Sequence, residues 1–273
     1  MPELPEVETT RRGLAPGLIG QQIVAAVVRQ PSLRLPVSEN LHSHCQGQII
    51  QSIERRSKYL LIHLQQGCLL VHLGMSGHLR MVSADTPIGK HDHIDLVLAN
   101  GQVLRYQDPR RFGLWLFLAS AYHQHALLQK LGPEPLTEAF NSQYLHQRLK
   151  GKKQPIKTAI MDNHVLVGVG NIYASESLFR AGVHPLSPAG NLTLVQVKRL
   201  VQEIKAVLAA AIEAGGTTLK DFYAADGKPG YFSISLQVYG RQGAPCLSCG
   251  QTIQSTKLAG RNTFFCGVCQ ILS

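Results

Sequence analysis

Acidic and aromatic side chains are scarce in this sequence, and long apolar runs are missing. Of 273 residues, 17 are Asp or Glu against 27 Lys or Arg, a formal charge of +10. Only 16% are charged and 6% aromatic, with a single tryptophan. No run approaches the ~18 apolar residues of a membrane-spanning helix, since the best, Phe112 to Ala119, is too short. The opening Met1-Pro-Glu-Leu-Pro-Glu lacks the basic start and apolar stretch of a signal peptide, so a soluble cytoplasmic protein is expected. There is no low-complexity run and no repeat at solenoid period. With 44% apolar residues the chain is too hydrophobic for extended disorder, and its length suits two domains better than one.

The missing acids are unevenly placed. No Asp or Glu follows Asp226, whereas Lys228, Arg241, Lys257 and Arg261 do. A generally basic surface is the plain explanation. A surface that faces phosphates, most simply of nucleic acid, is the functional one.

Six cysteines are present. Cys45 and Cys68 are isolated and read as buried thiols. The other four form Cys246-x2-Cys249-x16-Cys266-x2-Cys269, the spacing of a four-thiolate zinc site. Each pair makes a knuckle that aims two sulfurs at one metal, and the middle segment forms a hairpin. Four protein ligands leave no position for water or substrate, so the ion is structural. In so short a module it supplies folding energy that the core cannot. No redox or nucleotide cofactor is expected.

Helical composition runs from Glu3 to Arg12, with Pro5 in the first turn and Gly13 as a stop. The period then shortens to that of strands: Ile23–Val28, Ile49–Ile53, Lys58–Leu64, Cys68–Leu73, Ile94–Leu98, Val103–Tyr106 and Leu114–Leu118. Asn100-Gly101 marks a hairpin. Gly132-Pro133-Glu134-Pro135 breaks the pattern, and helical periodicity follows. Helices are predicted over Tyr144–Leu149, Pro155–Met161, Ile172–Ala181 and Leu194–Ala214, the last opened by a Thr193/Gln196 capping box. The fold class is therefore α+β. An N-terminal helix and antiparallel β-sandwich occupy residues 1–130, a linker 131–150, a helical domain 151–232 and a zinc hairpin 233–273.

Several short motifs carry chemistry. Loss of the initiator methionine before a small residue would leave Pro2 at the terminus, a secondary amine with a pKa of about 8. Such an amine attacks electrophilic carbon to give an iminium, and Glu3 beside it can move protons. An ordinary chain start is the competing reading. Lys58 reads locally as a surface lysine. His91-Asp92-His93 offers two imidazoles, for which phosphate or solvent contact is favoured over a metal. Asp108-Pro-Arg-Arg-Phe-Gly113 presents two cations and an aromatic on a turn, suited to gripping phosphate and wedging a ring into a base stack. Gly168-Val-Gly170-Asn-Ile-Tyr173 opens a helix without the third glycine of a dinucleotide fingerprint, and its backbone amides suit phosphate.

As an ordered set these motifs resemble the bacterial formamidopyrimidine-DNA glycosylase family nearly end to end. The set includes Met1–Glu8, Lys58-Tyr-Leu60, His72-Leu-Gly-Met-Ser-Gly77, Lys90–His93, Asp108–Gly113 and Met161-Asp-Asn163. It continues through Gly168–Glu176, Gly215–Leu219, Asp226–Tyr231 and the four cysteines. The resemblance implies a base-excision repair enzyme that removes 8-oxoguanine and ring-opened purines from duplex DNA and cleaves the abasic strand by β,δ-elimination. It implies Pro2 as nucleophile, Glu3 as general acid/base, and Lys58 and Arg261 assisting elimination. Met75, Arg110 and Phe112 match residues that fill the gap left by the flipped base. His91, Lys157 and Asn171 match phosphate contacts, with Lys153 a further candidate. Residues 155–225 match a helix–two-turns–helix unit, and Thr217, Thr218, Lys220 and Tyr231 fall in a loop that closes over the lesion. Damaged double-stranded DNA is the implied partner of a nucleoid-associated monomer. The related endonuclease VIII-like branch, which prefers oxidised pyrimidines, is the nearest rival; Leu4, Met75 and the Arg110/Phe112 pair favour the purine branch. A non-enzymatic zinc nucleic-acid-binding protein explains the charge but leaves Pro2-Glu3 idle.

Overall fold

A computed structural model describes residues 2–119, 121–216 and 236–273. These fall into two compact units, one of residues 2–129 with 214–216, the other of 130–213 with 236–273.

The first unit opens with helix α1, Leu4–Leu18, with Glu3 as its N-cap and Pro5 in its first turn. Glu6 accepts a hydrogen bond from the Glu3 amide at 2.8 Å, which ties down the chain start. The helix does not stop at Gly13, as expected, but runs on through Pro16. Leu14 and Leu18 explain why: both are fully buried in the core. Burying a leucine is worth about 1.5–3 kcal/mol, more than the ~1 kcal/mol that glycine costs in a helix.

Two antiparallel four-stranded sheets follow. Strands β1 (Ile23–Val28), β5 (His78–Ser83), β6 (Asp92–Leu98) and β7 (Gln102–Gln107) form one sheet in the order β1-β6-β7-β5. Strands β2 (Ile50–Arg56), β3 (Tyr59–Leu64), β4 (Cys68–His72) and β8 (Leu114–Leu118) form the other in the order β2-β3-β4-β8. One core cluster draws on both sheets and on α1, including Ile23, Leu60, Val71, Leu96, Tyr106 and Trp115, so the sheets are sandwiched. The Asn100-Gly101 turn joins β6 to β7, as the dipeptide predicts. Strand β5 and the short helix α2 (Leu41–Cys45) were not expected. In β5 only Leu79 is buried, which erases the alternation. In α2 five residues are too few for a helical period, and only Leu41 and Cys45 face inward.

The second unit contains α3 (Ser142–Leu149), α4 (Ile156–Ile160), α5 (Asn171–Ala181) and α6 (Leu194–Glu213). Asn141 caps α3 by accepting from the Tyr144 amide at 2.9 Å, and Gly182 ends α5 in the left-handed region at φ 71°. The Thr193/Gln196 box forms at the start of α6, with the Thr193 amide donating to Gln196 Oε1 at 2.9 Å. The apolar positions expected along α6, from Val197 to Ile212, are the buried ones. Strands β9 (Gln254–Leu258) and β10 (Arg261–Phe265) make the C-terminal hairpin. Among the described residues no helix is long and apolar enough to cross a membrane.

Candidate active site and nucleic-acid interface

In the first unit, α1 carries Pro2 and Glu3 at its N-terminal end, both buried. The next candidate residue, Lys58, is half-buried on the two-residue turn Ser57-Lys58 between β2 and β3. Ser57 sits at φ 58°, a strained value for a non-glycine residue. A relay of charges supports that turn. Glu8 of α1 accepts from Arg11, Arg12 and, at 3.2 Å, Arg55 Nε, while Arg55 Nη1 donates to the Ser57 carbonyl at 3.1 Å. Helix α1 therefore fixes the lysine turn through a buried carboxylate. Burial pushes the Glu8 carboxyl up, but the bonds from Arg11 and Arg12 outweigh it, and the net direction is down.

His72, at the end of β4, is buried and lies under the same positive charge. Its pKa is pushed down to about 4, first by burial and then by Lys58 and Arg34, with Asp108 opposing. The imidazole is therefore neutral at pH 7, and its Nδ1 accepts from the Gly74 amide at 2.9 Å. Met75, 40% exposed, stands on the turn that follows. Phe112, 44% exposed, projects from the turn after β7, with the exposed Arg110 guanidinium 4.9 Å from its ring centroid. Two turns thus lift an apolar side chain, a ring and a cation out of the sandwich. They meet backbone to backbone: Gly74 has φ 64°, and a Cβ there would collide with the Phe112 backbone. His91 is half-exposed before β6. Its neighbour His93 is buried and bonds the Asp108 carbonyl at 2.8 Å through Nε2, so the two imidazoles do not form a metal pair.

In the second unit, Lys157 of α4 is 2% exposed. Its ammonium donates to Asn171 Oδ1 at 2.6 Å, Thr263 Oγ1 at 2.7 Å and the Asn262 carbonyl at 3.4 Å. Asn171, the first residue of α5, donates through Nδ2 to the same Asn262 carbonyl at 3.0 Å. Beside them opens a cavity of about 270 Å³, lined by Gln154, Lys157, Thr158, Asn171 and Arg261 among others. Arg261 is exposed at the tip of the β9–β10 hairpin. Two cations and the N-terminus of an 11-residue helix line this recess together with one carboxylate, Asp162, so positive groups outnumber the negative one in a layout suited to phosphate. Lys153 is exposed and does not line it. Thr217, Thr218, Lys220 and Tyr231 lie outside the described residues.

The four cysteines converge, with all sulfurs within 4.8 Å of one another. Cys246 and Cys269 sulfurs are 3.9 Å apart and those of Cys249 and Cys266 3.5 Å. A tetrahedral zinc with bonds of about 2.3 Å separates its sulfurs by ~3.8 Å, so the set fits one structural zinc ion. Among the described residues it is the one such cluster of metal-ligand side chains.

Residues 1–115 match the family "Formamidopyrimidine-DNA glycosylase N-terminal domain", and 131–223 match the "Formamidopyrimidine-DNA glycosylase H2TH domain". Residues 243–271 match the "Zinc finger found in FPG and IleRS". The chain is 56% identical to the formamidopyrimidine-DNA glycosylase of Shewanella oneidensis over 270 residues, 99% of each chain. The chain belongs to the formamidopyrimidine-DNA glycosylase family. Its fold matches the crystal structure of the MutM (Fpg) protein of Thermus thermophilus with a TM-score of 0.89 and 41% identity, covering 98% of both chains. It also matches Lactococcus lactis Fpg in complex with DNA containing an abasic site, with a TM-score of 0.92 and 37% identity, covering 98% of this chain and 99% of that one.

Three supporting residues of this glycosylase fold escaped sequence reasoning. Thr263 is fully buried and holds the Lys157 ammonium. Glu176, on α5, accepts from the amides of Gln237, Val238 and Tyr239 at 2.8–3.0 Å, which anchors the chain entering the zinc hairpin. Asp108 gathers both projecting turns. Glu176 and Asp108 lie inside motifs named above and Thr263 in the spacer between the cysteine pairs, but Lys157, the 237–239 amides and Ser76, which define their roles, are distant in sequence.

Proposed function

We propose that this chain excises oxidised purines, 8-oxoguanine and formamidopyrimidines, from duplex DNA and then cleaves the abasic strand. The observation that carries this reading is full-length similarity to formamidopyrimidine-DNA glycosylases, in a chain whose residues 2 and 3 are Pro and Glu at a helix start. A structural match to Lactococcus lactis Fpg with DNA containing N7-benzyl-Fapy-dG adds to it.

With Met1 removed, the neutral Pro2 nitrogen attacks C1′ of the damaged nucleotide and sheds its one N–H proton. The bond from C1′ to the base breaks and the base leaves with its electron pair, taking up a proton. Opening of the sugar ring at O4′ converts the adduct into an iminium, with Glu3 delivering the proton to O4′. The cationic nitrogen acidifies C2′, and loss of a C2′ proton expels the 3′ phosphate. A second elimination expels the 5′ phosphate, and water then hydrolyses the sugar fragment from the amine. Lys58 is the cation for the first elimination. No step needs a metal, and the zinc ion serves to hold the hairpin that carries Arg261.

The target carbon is stacked inside the duplex, so the nucleotide must be extruded at a cost of a few kcal/mol. Met75, Arg110 and Phe112 fill the vacated space and offset that cost. His91, Lys157, Asn171 and Arg261 grip the backbone, and Lys153 adds charge nearby. The division of labour follows the chain: residues 1–130 catalyse, 151–232 bind DNA and 233–273 clamp it. The protein acts as a monomer at the nucleoid in the cytoplasm.

Excision from duplexes containing 8-oxoguanine opposite cytosine, or thymine glycol, tests the substrate class. Faster cleavage of the 8-oxoguanine duplex is expected. Preference for thymine glycol would move the protein to the endonuclease VIII-like branch.

A further inference from the structure

Asp108 is fully buried, and its carboxylate accepts four hydrogen bonds. Oδ1 receives the Ser76 hydroxyl at 2.8 Å and the Arg110 amide at 3.3 Å. Oδ2 receives the Tyr106 hydroxyl and the Gly113 amide, both at 2.9 Å. Ser76 stands next to Met75, whereas Arg110 and Gly113 bracket Phe112. The Ser76 oxygen itself accepts from the Arg110 amide at 3.2 Å, closing the link between the turns. The backbone of Asp108 reaches further. Its amide donates to the His91 carbonyl at 3.0 Å, and its carbonyl accepts from the Arg111 amide at 3.2 Å and bonds His93 Nε2 at 2.8 Å. One charged side chain thus ties together the turns carrying Met75, Arg110 and Phe112, and its backbone holds the chain at His91.

We propose that Asp108 is a positioning residue that holds the Met75 turn and the Arg110–Phe112 turn as one rigid probe for base extrusion. The proposal rests on reading these three side chains as the DNA wedge. A wedge displaces a stacked base only if it does not yield. Turns ordered before DNA arrives need no ordering during insertion. Bonds to an ionised acceptor are the strong kind, and burial strengthens them. Tyr106 is packed too closely to give: a Cβ on Gly113 would overlap its hydroxyl oxygen. Asp108 touches neither the reacting carbon nor the amine in this account, so it acts through the wedge.

Asp108→Asn keeps the shape but turns one acceptor oxygen into a donor facing donors. The test uses the full-length zinc protein and two substrates. A duplex with 8-oxoguanine opposite cytosine requires extrusion. A single-stranded abasic oligonucleotide, trapped with borohydride, has no stack to penetrate. Single-turnover excision from the duplex is expected to fall by about ten- to a hundredfold, with single-strand trapping retained within about twofold. Met75→Ala is expected to slow duplex excision in the parent and to add little in the Asp108→Asn background, because both act through one unit. Should Asp108→Asn not fold, Ser76→Ala, which keeps the carboxylate, is expected to give a smaller loss with the same selectivity between substrates.

Equal loss on both substrates would reduce Asp108 to general stability and overturn the proposal. Unchanged duplex excision in Asp108→Asn, with Met75→Ala and Arg110→Ala still slow, would overturn it while leaving the wedge reading intact. Unchanged excision in Met75→Ala and Arg110→Ala would remove the wedge reading and the proposal together.

Discussion

Lys157 is buried, and its Nζ donates to Asn171 Oδ1, Thr263 Oγ1 and the Asn262 carbonyl. Lys157→Met should weaken duplex binding across all sequences and lower the slope of log affinity against log salt by about one. It should also cost about 1–3 kcal/mol of stability, because buried acceptors lose their donor. Binding titrations at several salt concentrations and a denaturation curve check both. His72 makes a second prediction. Its folded pKa of about 4 lies below the value near 6.5 of an unfolded histidine. Stability from this group is therefore complete above pH 6.5 and is lost as pH falls towards 4, by on the order of 2–3 kcal/mol. Replacing His72 with Gln should flatten that part of the stability profile, measured by denaturant melts between pH 4 and 7. The sequence motifs point to candidate reactive residues but not to their supports. Nothing near Thr263 announces Lys157, and nothing near Arg55 announces that it braces Lys58.

Elements were legible where one local rule dominates. The Thr193/Gln196 box, the Asn100-Gly101 turn and the glycine end of α5 all act within a few residues. They failed where tertiary burial overrides propensity. Helix α1 passes through Gly13 because Leu14 and Leu18 are needed in the core. Gly13 is exposed and helical, so Gly13→Ala should stabilise the protein by about 0.5–1 kcal/mol, read as a raised melting temperature. Strand β5 was invisible for the opposite reason: with one buried residue it has no apolar alternation to detect.

The zinc hairpin has a small core of its own. Its cluster contains Phe179, Val238, Ile253, Phe264 and two of the metal-binding cysteines themselves. Removing zinc with a chelator should unfold residues 243–271 and abolish tight DNA binding, because Arg261 and the Asn262 carbonyl go with the hairpin. Loss of hairpin amide protection in hydrogen exchange, with protection of the β-sandwich retained, is the expected pattern. The cysteine spacing made this module readable from sequence, since four thiolates at fixed intervals have few other uses.

The chemistry proposed for this chain begins with attack of the Pro2 nitrogen on the damaged nucleotide. Borohydride reduces an iminium to a stable amine and so tethers such an enzyme to its DNA. The protein would be incubated with a duplex containing 8-oxoguanine opposite cytosine, reduced, and the tethered peptide sequenced by mass spectrometry. A crosslink at Pro2, with Met1 absent, is the predicted result. A folded, zinc-loaded protein that binds the duplex yet forms no crosslink, or forms one at a lysine instead, would contradict it.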